Sequence, residues 1–303
     1  MLLIELTEQY CAENPQIKSA ETIRLLKSSV RQFCAYLKRP AELADLNAKT
    51  LVAYTQYRRL AGKAESTIER EAAKLMTLWR WAAGEGWTQH PKIRFEKAKV
   101  ATPVCFLRWE LRRLVKAMKS YDRPIGGVSG DVFLLALLST IWDTAERIGA
   151  VRAVQRSDID VSPRWWPRRY WITIRHRKRG GKTLIRPLRR STAKCLRLLL
   201  AETGEKQPFA LVDRTALYGH LDRVLERAGL PVDRKHKFHC VRRSHASYLK
   251  RAGGDVQQSL DHSSPQIAQE RYYDPRVTET RHAVDFLFNP FGVWERLLSL
   301  VGL

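Results

Sequence analysis

The feature that most restricts the fold of this chain is an apolar run from Val132 to Trp142 (VFLLALLSTIW). Ser139 and Thr140 are its only polar residues. A helix that is apolar on every side has to be buried on every side, because no face of it suits water. The run therefore predicts a central helix with other elements packed around it, and Asp131 just before it is the expected N-cap.

The first hundred residues show a helical period throughout. Thr22 to Leu37 places apolar side chains three and four residues apart, and Pro40 is expected to stop this helix. Asn47 is the expected N-cap of a second helix. Ser66, with Glu69 three residues later, forms a capping-box pattern that opens a third helix. These signals predict a compact helical domain.

The rest of the chain predicts helices around one short hairpin. Two β-like runs, Tyr170 to Arg175 and Thr183 to Pro187, flank a Gly-Gly turn and predict an antiparallel pair. The fold class that we expect is mainly α with a small antiparallel β-sheet. Helical patterns cover Trp109 to Met118, Thr192 to Leu200, Ala216 to Ala228, Val241 to Lys250, a short segment from Asp255, and one from Ser264-Pro265.

Charge points to a polyanionic partner. The formal net charge is +23, of which the first hundred residues contribute +6 and the rest +17. Pro163 to Arg190 holds eleven Lys and Arg residues and no acid, which favours a phosphate-facing surface over an ordinary solvated face. Nucleic acid is the first partner to consider, and an acidic membrane surface is the second.

Other sequence signals argue against a membrane or secreted protein. The sequence lacks an apolar span of about 18 residues and a lipidation motif. Its start, MLLIELTEQY, is short and acidic for a signal peptide. Five scattered cysteines, an odd number, indicate reduced thiols, so we expect a cytoplasmic protein.

The stretch from His239 to Tyr273 contains the kinds of side chain that cleavage of a phosphodiester needs. It contains a His-x-x-Arg step (His239, Arg242), a later histidine (His262) and a Tyr-Tyr pair (Tyr272, Tyr273). Arginine binds phosphate oxygens bidentately, histidine moves a proton, and a phenol supplies a nucleophile. The alternative interpretation of His239 is a packed core histidine.

His236, His239, Cys240 and His245 together raise the alternative of a zinc site. Three histidines and a cysteine follow one another closely, in the spacing H-x-x-H-C-x-x-x-x-H. This spacing matches none of the common structural zinc patterns, so the phosphodiester interpretation is preferred.

Together these segments resemble the tyrosine recombinases, or phage-type integrases, over nearly the whole chain. The stretch WDTAERIGAVRAVQRSDID is similar to the first arginine box of that family. The stretches HCVRRSHASYLKRAGGD, LDHSS and RYYDP are similar to its second box, and the WRWA segment to the end of its helical domain. Each piece is weak alone, and their order, spacing and hairpin context make the match specific.

The resemblance implies a division into domains. A helical core-binding domain would span residues 1–98, a linker residues 99–104, and an α+β catalytic domain residues 105–303. The two domains would close as a C-shaped clamp around duplex DNA. The resemblance also implies a homotetramer in the synaptic complex and a monomer when free, with no membrane partner.

Carried over residue by residue, the resemblance implies two phosphate-clamping arginines, a lysine acid, two histidines and a tyrosine nucleophile. These catalytic residues are Arg147, Lys178, His239, Arg242, His262 and Tyr272. The hairpin turn and the gap from His262 to the tyrosine are each one residue longer than the commonest family spacing. Lys182 is therefore the alternative to Lys178, and Tyr273 the alternative to Tyr272.

Three positions depart from the family pattern. Ala150 stands where many members have an acidic residue, and Glu146 cannot be assumed to replace it. Asp261 stands where glycine is usual before the late histidine. Gln155-Arg156 replaces an Arg-Trp pair. The first departure leaves open what orients Arg147, since a neighbouring carboxylate often fixes such a group.

The expected function is site-specific cleavage and rejoining of duplex DNA through a 3′-phosphotyrosyl intermediate, as in phage or mobile-element integration. By the resemblance, the reaction needs no metal, ATP or other cofactor. Three alternatives are a type IB topoisomerase-like enzyme, a DNA-binding protein that has lost cleavage, and a basic protein of membrane or RNA surfaces.

Overall fold

The computed structural model describes residues 1–15, 17, 19–95, 101–162, 170–175, 182–261 and 264–278. These residues are mainly helical, with one three-stranded antiparallel sheet, which confirms the expected fold class. The chain divides into two compact units, Met1–Val100 and Ala101–Leu303. Among the described helices, none is long and apolar enough to cross a membrane.

The first unit consists of four described helices. They are α1 (Leu3–Glu13), α2 (Ala20–Leu37), α3 (Ala48–Leu60) and α4 (Glu65–Gly84). Their apolar faces meet in one core, in which the side chains of Leu6, Val30, Phe33, Leu51 and Leu75 are fully buried. The three- and four-residue spacing predicted from the sequence is thus the spacing of the core residues.

Helix ends in this unit test the capping predictions. Asn47 is the N-cap of α3, and its side chain accepts a hydrogen bond from the Thr50 amide at 2.9 Å, as predicted. The prediction of Ser66 as N-cap was wrong, because the N-cap is Ala64, two residues earlier, and α4 begins at Glu65. The Glu65 carboxylate lies in the positive first turn of the helix and accepts a hydrogen bond from Arg59 at 2.7 Å, which favours the earlier start.

One buried ion pair joins two helices of the first unit. The Arg58 guanidinium on α3 donates to both carboxylate oxygens of Glu71 on α4, at 2.8 and 2.9 Å. Tyr54 donates its hydroxyl to the same carboxylate at 2.8 Å. This carboxylate is therefore fully engaged within the unit.

The second unit contains nine helices among the described residues. They are α5 (Arg108–Lys119), α6 (Gly130–Thr144), α7 (Ile148–Arg152), α8 (Arg190–Glu202), α9 (Arg214–Arg227), α10 (Phe238–Arg251), α11 (Val256–Leu260), α12 (Pro265–Tyr272) and α13 (Pro275–Thr278). Helices α7 and α13 were not predicted, because a single turn of helix has too few residues to show a period.

Helix α6 is the centre of this unit, as its composition predicted. It packs against α5, α8, α10 and the sheet, and nine of its residues are buried. The expected cap was wrong, because Ser129 is the N-cap and Asp131 lies within the first turn. The first residue has to be glycine, since a Cβ on Gly130 would collide with the Arg123 carbonyl and the Tyr121 ring.

The sheet has the order β1-β2-β3 and is antiparallel throughout. Its strands are β1 (Ile159–Asp160), β2 (Tyr170–Arg175) and β3 (Thr183–Leu188). The predicted hairpin is β2 with β3, and Ile172 pairs with Arg186. Strand β1 was not predicted because two residues cannot show the alternation of a strand. Helix α6 packs on β3, so the hairpin is fixed against the core.

Candidate active site

A chain reversal at the end of α6 positions the first predicted arginine. Ala145 follows α6 and adopts the left-handed backbone conformation (φ 54°), which is unusual for a residue with a side chain. The reversal turns Glu146 into the interior and makes Arg147 the N-cap of α7. Arg147 is exposed, and it lines an open cleft of the second unit.

The second predicted arginine, Arg242 on α10, is completely buried. Its guanidinium donates to the carbonyls of Ala145 and of Leu260, the latter at 3.0 Å. The Glu146 carboxylate lies 3.9 Å from the guanidinium. Because a guanidinium is a rigid planar fork, these partners fix its orientation.

Charges around Arg242 oppose one another. Burial lowers the pKa of Arg242, and the positive charge of Arg147 adds to that lowering, whereas Tyr272 and Glu146 raise it. An arginine keeps its proton in proteins, so the site holds a desolvated cation. Such a cation interacts strongly with any anion that reaches it.

Tyr272 lies beside this buried cation. It is the last residue of α12, and only 4% of its surface is exposed. Its ring centroid is 5.4 Å from the Arg242 guanidinium carbon, and the two side chains share a hydrogen bond. The His239 ring packs against the same phenol, with 5.3 Å between ring centroids. The structure thus brings Tyr272, Arg242 and His239 together.

The backbone around Tyr272 is held on α10. Ser247 donates its hydroxyl to the Tyr272 carbonyl at 3.0 Å and accepts the Asp274 amide at 3.0 Å. The Asp274 carboxylate accepts the Cys105 amide at 2.8 Å and the Arg276 guanidinium at 2.7 Å. Burial opposes ionisation of Asp274, but these hydrogen bonds outweigh it and lower the pKa of this carboxyl.

Tyr273 has different surroundings. Its ring lies 5.9 Å from the Lys250 ammonium and packs beside the small apolar cluster of α10, α11 and α12. Burial and the negative charge of Asp255 raise the pKa of Tyr273, which disfavours its ionised form. The two adjacent tyrosines therefore face different charges, an arginine in one case and a lysine and an aspartate in the other.

Two predicted catalytic residues, Lys178 and His262, lie outside the described residues. The alternative lysine is described: Lys182 donates to the Asp261 carboxylate at 2.6 Å. Asp261 has left-handed backbone (φ 51°), which explains why the resemblance expects glycine at this position.

The cleft lined by Arg147 has a volume of about 1000 Å³ and a strongly positive wall. Among the residues that line it in the described part of the chain, five are arginines and one is a carboxylate. They are Arg147, Arg152, Arg175, Arg214, Arg242 and Glu146. His239 lines the same cleft. A concave surface of one charge sign concentrates the opposite charge, so this cleft suits phosphate.

Sequence reasoning missed three of the arginines that line the cleft. Arg175 lies in the basic tract and is paired with the buried Asp158, so the tract was a signal for it. Arg152 lies five residues after Arg147 and donates to the Val212 carbonyl. Arg214 begins α9, and nothing in its local sequence marks it.

Comparisons with known proteins show the family of the chain. The phage integrase family model matches residues 107–279, and the phage integrase SAM-like domain model matches residues 2–100. Tyrosine recombinase XerD of Caulobacter vibrioides is 26% identical over 268 residues, covering 80% of this chain and 83% of that protein.

Solved structures share the fold. A lambda integrase fragment, a dimer bound to a COC' core site, superposes with a TM-score of 0.68 at 19% identity, covering 93% of this chain and 98% of that one. A lambda integrase tetramer bound to a Holliday junction gives 0.68 at 18% identity, covering 92% and 77%. Since the phage integrase model alone spans more than half of its residues, this chain belongs to the phage integrase family and is a site-specific tyrosine recombinase.

Proposed function

We propose that this recombinase opens one strand of duplex DNA with the Tyr272 hydroxyl. The phenol oxygen attacks the phosphorus, a 3′-phosphotyrosyl bond forms, and the 5′-oxygen of the next nucleotide leaves as a hydroxyl. The observation that carries the proposal is the contact of Tyr272 with His239 on one side and with the buried Arg242 on the other.

The proposal gives a role in the reaction to each of the other predicted catalytic side chains. Arg147 and Arg242 bind the non-bridging oxygens and stabilise the charge that develops on the pentacoordinate phosphorus. His239 accepts the phenol proton or holds the phosphate, and His262 hydrogen-bonds a non-bridging oxygen. Lys178 gives a proton to the departing 5′-oxygen, which is a poor leaving group without it.

Rejoining reverses the same step. The phosphotyrosyl bond keeps the energy of the broken phosphodiester, so a 5′-hydroxyl of the same or another strand can attack it without ATP. No cofactor enters this scheme. The division into a core-binding domain (1–98), a linker (99–104) and a catalytic domain (105–303) is part of the proposal.

The partner in this scheme is duplex DNA, held by the arginine-lined cleft. The net charge of +23 and the lambda integrase complexes with core-site DNA and a Holliday junction support it. We further propose a tetramer at synapsis and a monomer when free, acting in the cytoplasm, where scattered cysteines stay reduced.

A suicide duplex tests this function. Binding selection from a randomised duplex pool identifies the recombination site, and a nick beside the scissile phosphate lets the short 5′-hydroxyl fragment diffuse away. We expect an SDS-resistant protein–DNA adduct whose peptide contains the phosphotyrosine at Tyr272. If wild-type protein binds the site and forms no adduct, the chain is a DNA-binding protein without cleavage.

A supercoiled plasmid that lacks the selected site distinguishes the topoisomerase alternative. A site-specific recombinase leaves this plasmid supercoiled, whereas a type IB topoisomerase-like enzyme relaxes it. Relaxation at a rate similar to that of a plasmid carrying the site would contradict site specificity.

A further inference from the structure

Glu146 is a buried carboxylate in the wall of the cleft. Only 1% of its side chain is exposed, and it directly precedes Arg147. Burying a carboxylate costs several kcal/mol unless cations and hydrogen bonds compensate for the lost water. The groups around Glu146 therefore have to compensate for its charge.

Two arginines from different elements face this carboxylate. The Arg242 guanidinium on α10 lies 3.9 Å from one oxygen, and the Arg186 guanidinium on β3 lies 3.4 Å from the other. Both arginines are well buried, with 1% and 16% of their side chains exposed. At these distances the carboxylate acts mainly through its charge.

The two arginines also share a second target. Arg242 donates to the Leu260 carbonyl at 3.0 Å, and Arg186 donates to the Ser259 carbonyl at 2.8 Å. These adjacent carbonyls belong to the last turn of α11, where no further helical amide is available to them. The guanidiniums of Arg186 on β3 and Arg242 on α10 therefore join these two elements to α11. The Glu146 carboxylate is the anion that lies beside both guanidiniums.

We propose that Glu146 is a positioning residue for the phosphate clamp. Its charge keeps the Arg242 and Arg186 guanidiniums close together despite their mutual repulsion and that of Arg147. Through Arg186 it also holds β3, and with it the hairpin, in a fixed relation to Arg242. Ala150, three residues after Arg147, has no carboxylate to offer, whereas Glu146 supplies one from the preceding position. This inference rests on the proposed function of Arg242.

Replacement of Glu146 by glutamine tests the inference. The amide keeps the size of the side chain and loses its charge, so the two guanidiniums separate and Arg242 leaves its binding geometry. We expect the first-order rate of adduct formation at saturating suicide duplex to fall about 10- to 100-fold, as small misplacements of such groups do. Duplex affinity should stay within about twofold, because the cations of the cleft remain.

Rate and amplitude distinguish positioning from a folding defect. A variant that only folds less well yields a smaller amount of adduct at the wild-type rate constant. A positioning defect lowers the rate constant of the folded protein. Glu146→Asp keeps the charge on a shorter side chain and should lie closer to wild type than Glu146→Gln does.

Glu71→Gln is the matched control. It removes the charge of another glutamate that pairs with an arginine, within the first unit, where 12% of the Glu71 side chain is exposed. It should lower the melting temperature and leave the cleavage rate constant within about twofold, as independent sites do.

Three possible results distinguish a failure of this inference from a failure of the proposed function. If wild-type protein forms no adduct, the proposed function fails. If wild type cleaves and Glu146→Gln cleaves at the same rate constant, the inference is overturned and the function stands. A glutamine variant as fast as the aspartate variant would also overturn it, because charge would then not be what matters.

Discussion

The two adjacent tyrosines differ in what surrounds them, and this difference predicts a mutational result. Tyr272 contacts His239 and Arg242, whereas Tyr273 lies by Lys250 and Asp255. We expect Tyr272→Phe to abolish the SDS-resistant adduct and to leave duplex affinity unchanged, because only the nucleophilic oxygen is lost. Tyr273→Phe is the matched variant and should still form the adduct. The reverse result would assign the nucleophile to Tyr273.

A substrate with a different leaving group tests which of the two lysines is the general acid. Lys182 already donates to the Asp261 carboxylate at 2.6 Å, so its ammonium is engaged within the protein. We therefore expect Lys178→Ala to slow cleavage of an ordinary duplex, and a 5′-bridging sulfur to restore the rate, because a thiolate leaves without a proton. Lys182→Ala should show no comparable rescue. Rescue of Lys182→Ala alone would exchange the two assignments.

The sequence indicated some residues of the site and missed others for a physical reason. Arg147, His239, Arg242 and Tyr272 follow from motifs, because their spacing along the chain is fixed by the helices that carry them. Glu146 and Arg186 are 40 residues apart and meet only through the packing of β3 on the end of α6. A pattern within a short stretch of sequence cannot predict a contact between residues so far apart.

At the scale of elements, His245 connects three helices and predicts a pH-dependent stability. Its ring on α10 bonds the Trp142 carbonyl of α6 at 2.5 Å and the Ser259 hydroxyl of α11 at 2.9 Å. Burial lowers the pKa of His245, the Trp142 carbonyl opposes this, and the charges of Arg242 and Arg189 lower it further. The native ring is therefore harder to protonate than the ring in the unfolded chain.

The sign of the effect follows from proton linkage. Above the unfolded-state pKa of about 6.5 both states hold a neutral ring, and the stabilisation is complete. As the pH falls below this value, the unfolded state binds the proton first, and stability is lost. We expect the urea midpoint to drop between about pH 7.5 and about pH 5, and to drop less in His245→Gln. An equal drop in the variant would assign the effect to other groups, of which His220, whose pKa burial also lowers, is the first to examine.

Long elements were predictable from the sequence, and so was the short α11 after Asp255, whereas β1, α7 and α13 were not. Thr22 to Leu37 was predicted and Ala20–Leu37 is observed, because a full apolar stripe specifies a helix within about a turn. The two-residue β1 forms by pairing with β2, and the five-residue α7 packs against α6 and β2. Helix α7 nevertheless carries Arg147 at its N-cap, so the least predictable element positions a predicted residue.

At the scale of the whole molecule, the charge of +23 was visible in the sequence, but its arrangement was not. The basic tract from 163 to 190 was expected to face phosphate, and much of it lies outside the described residues. One arginine of the cleft, Arg175 on β2, belongs to this tract, and the others come from α7, α9, α10 and the turn before α7. Residues from such distant segments share a wall only after folding, so composition predicted the partner and not the surface.

Arg214 permits a test of this surface by salt dependence. It is exposed at the start of α9, lies over the Tyr218 ring at 5.4 Å, and lines the cleft. A cation that neutralises one phosphate releases about one counterion. We expect Arg214→Ala to weaken binding of selected and unrelated duplexes alike, and to reduce the slope of log K against log salt by about 0.9.

Arg227→Ala is the matched control, because Arg227 ends the same helix and is paired with Asp122 and the Ser120 carbonyl. It should leave the slope unchanged. If Arg214→Ala changed affinity for the selected site alone, Arg214 would read bases and not phosphate, since phosphate contacts carry no sequence information. Equal slopes for wild type and Arg214→Ala would mean that DNA does not occupy this end of the cleft. The two variants differ in position along one helix, so their contrast isolates the cleft from the general charge of the molecule.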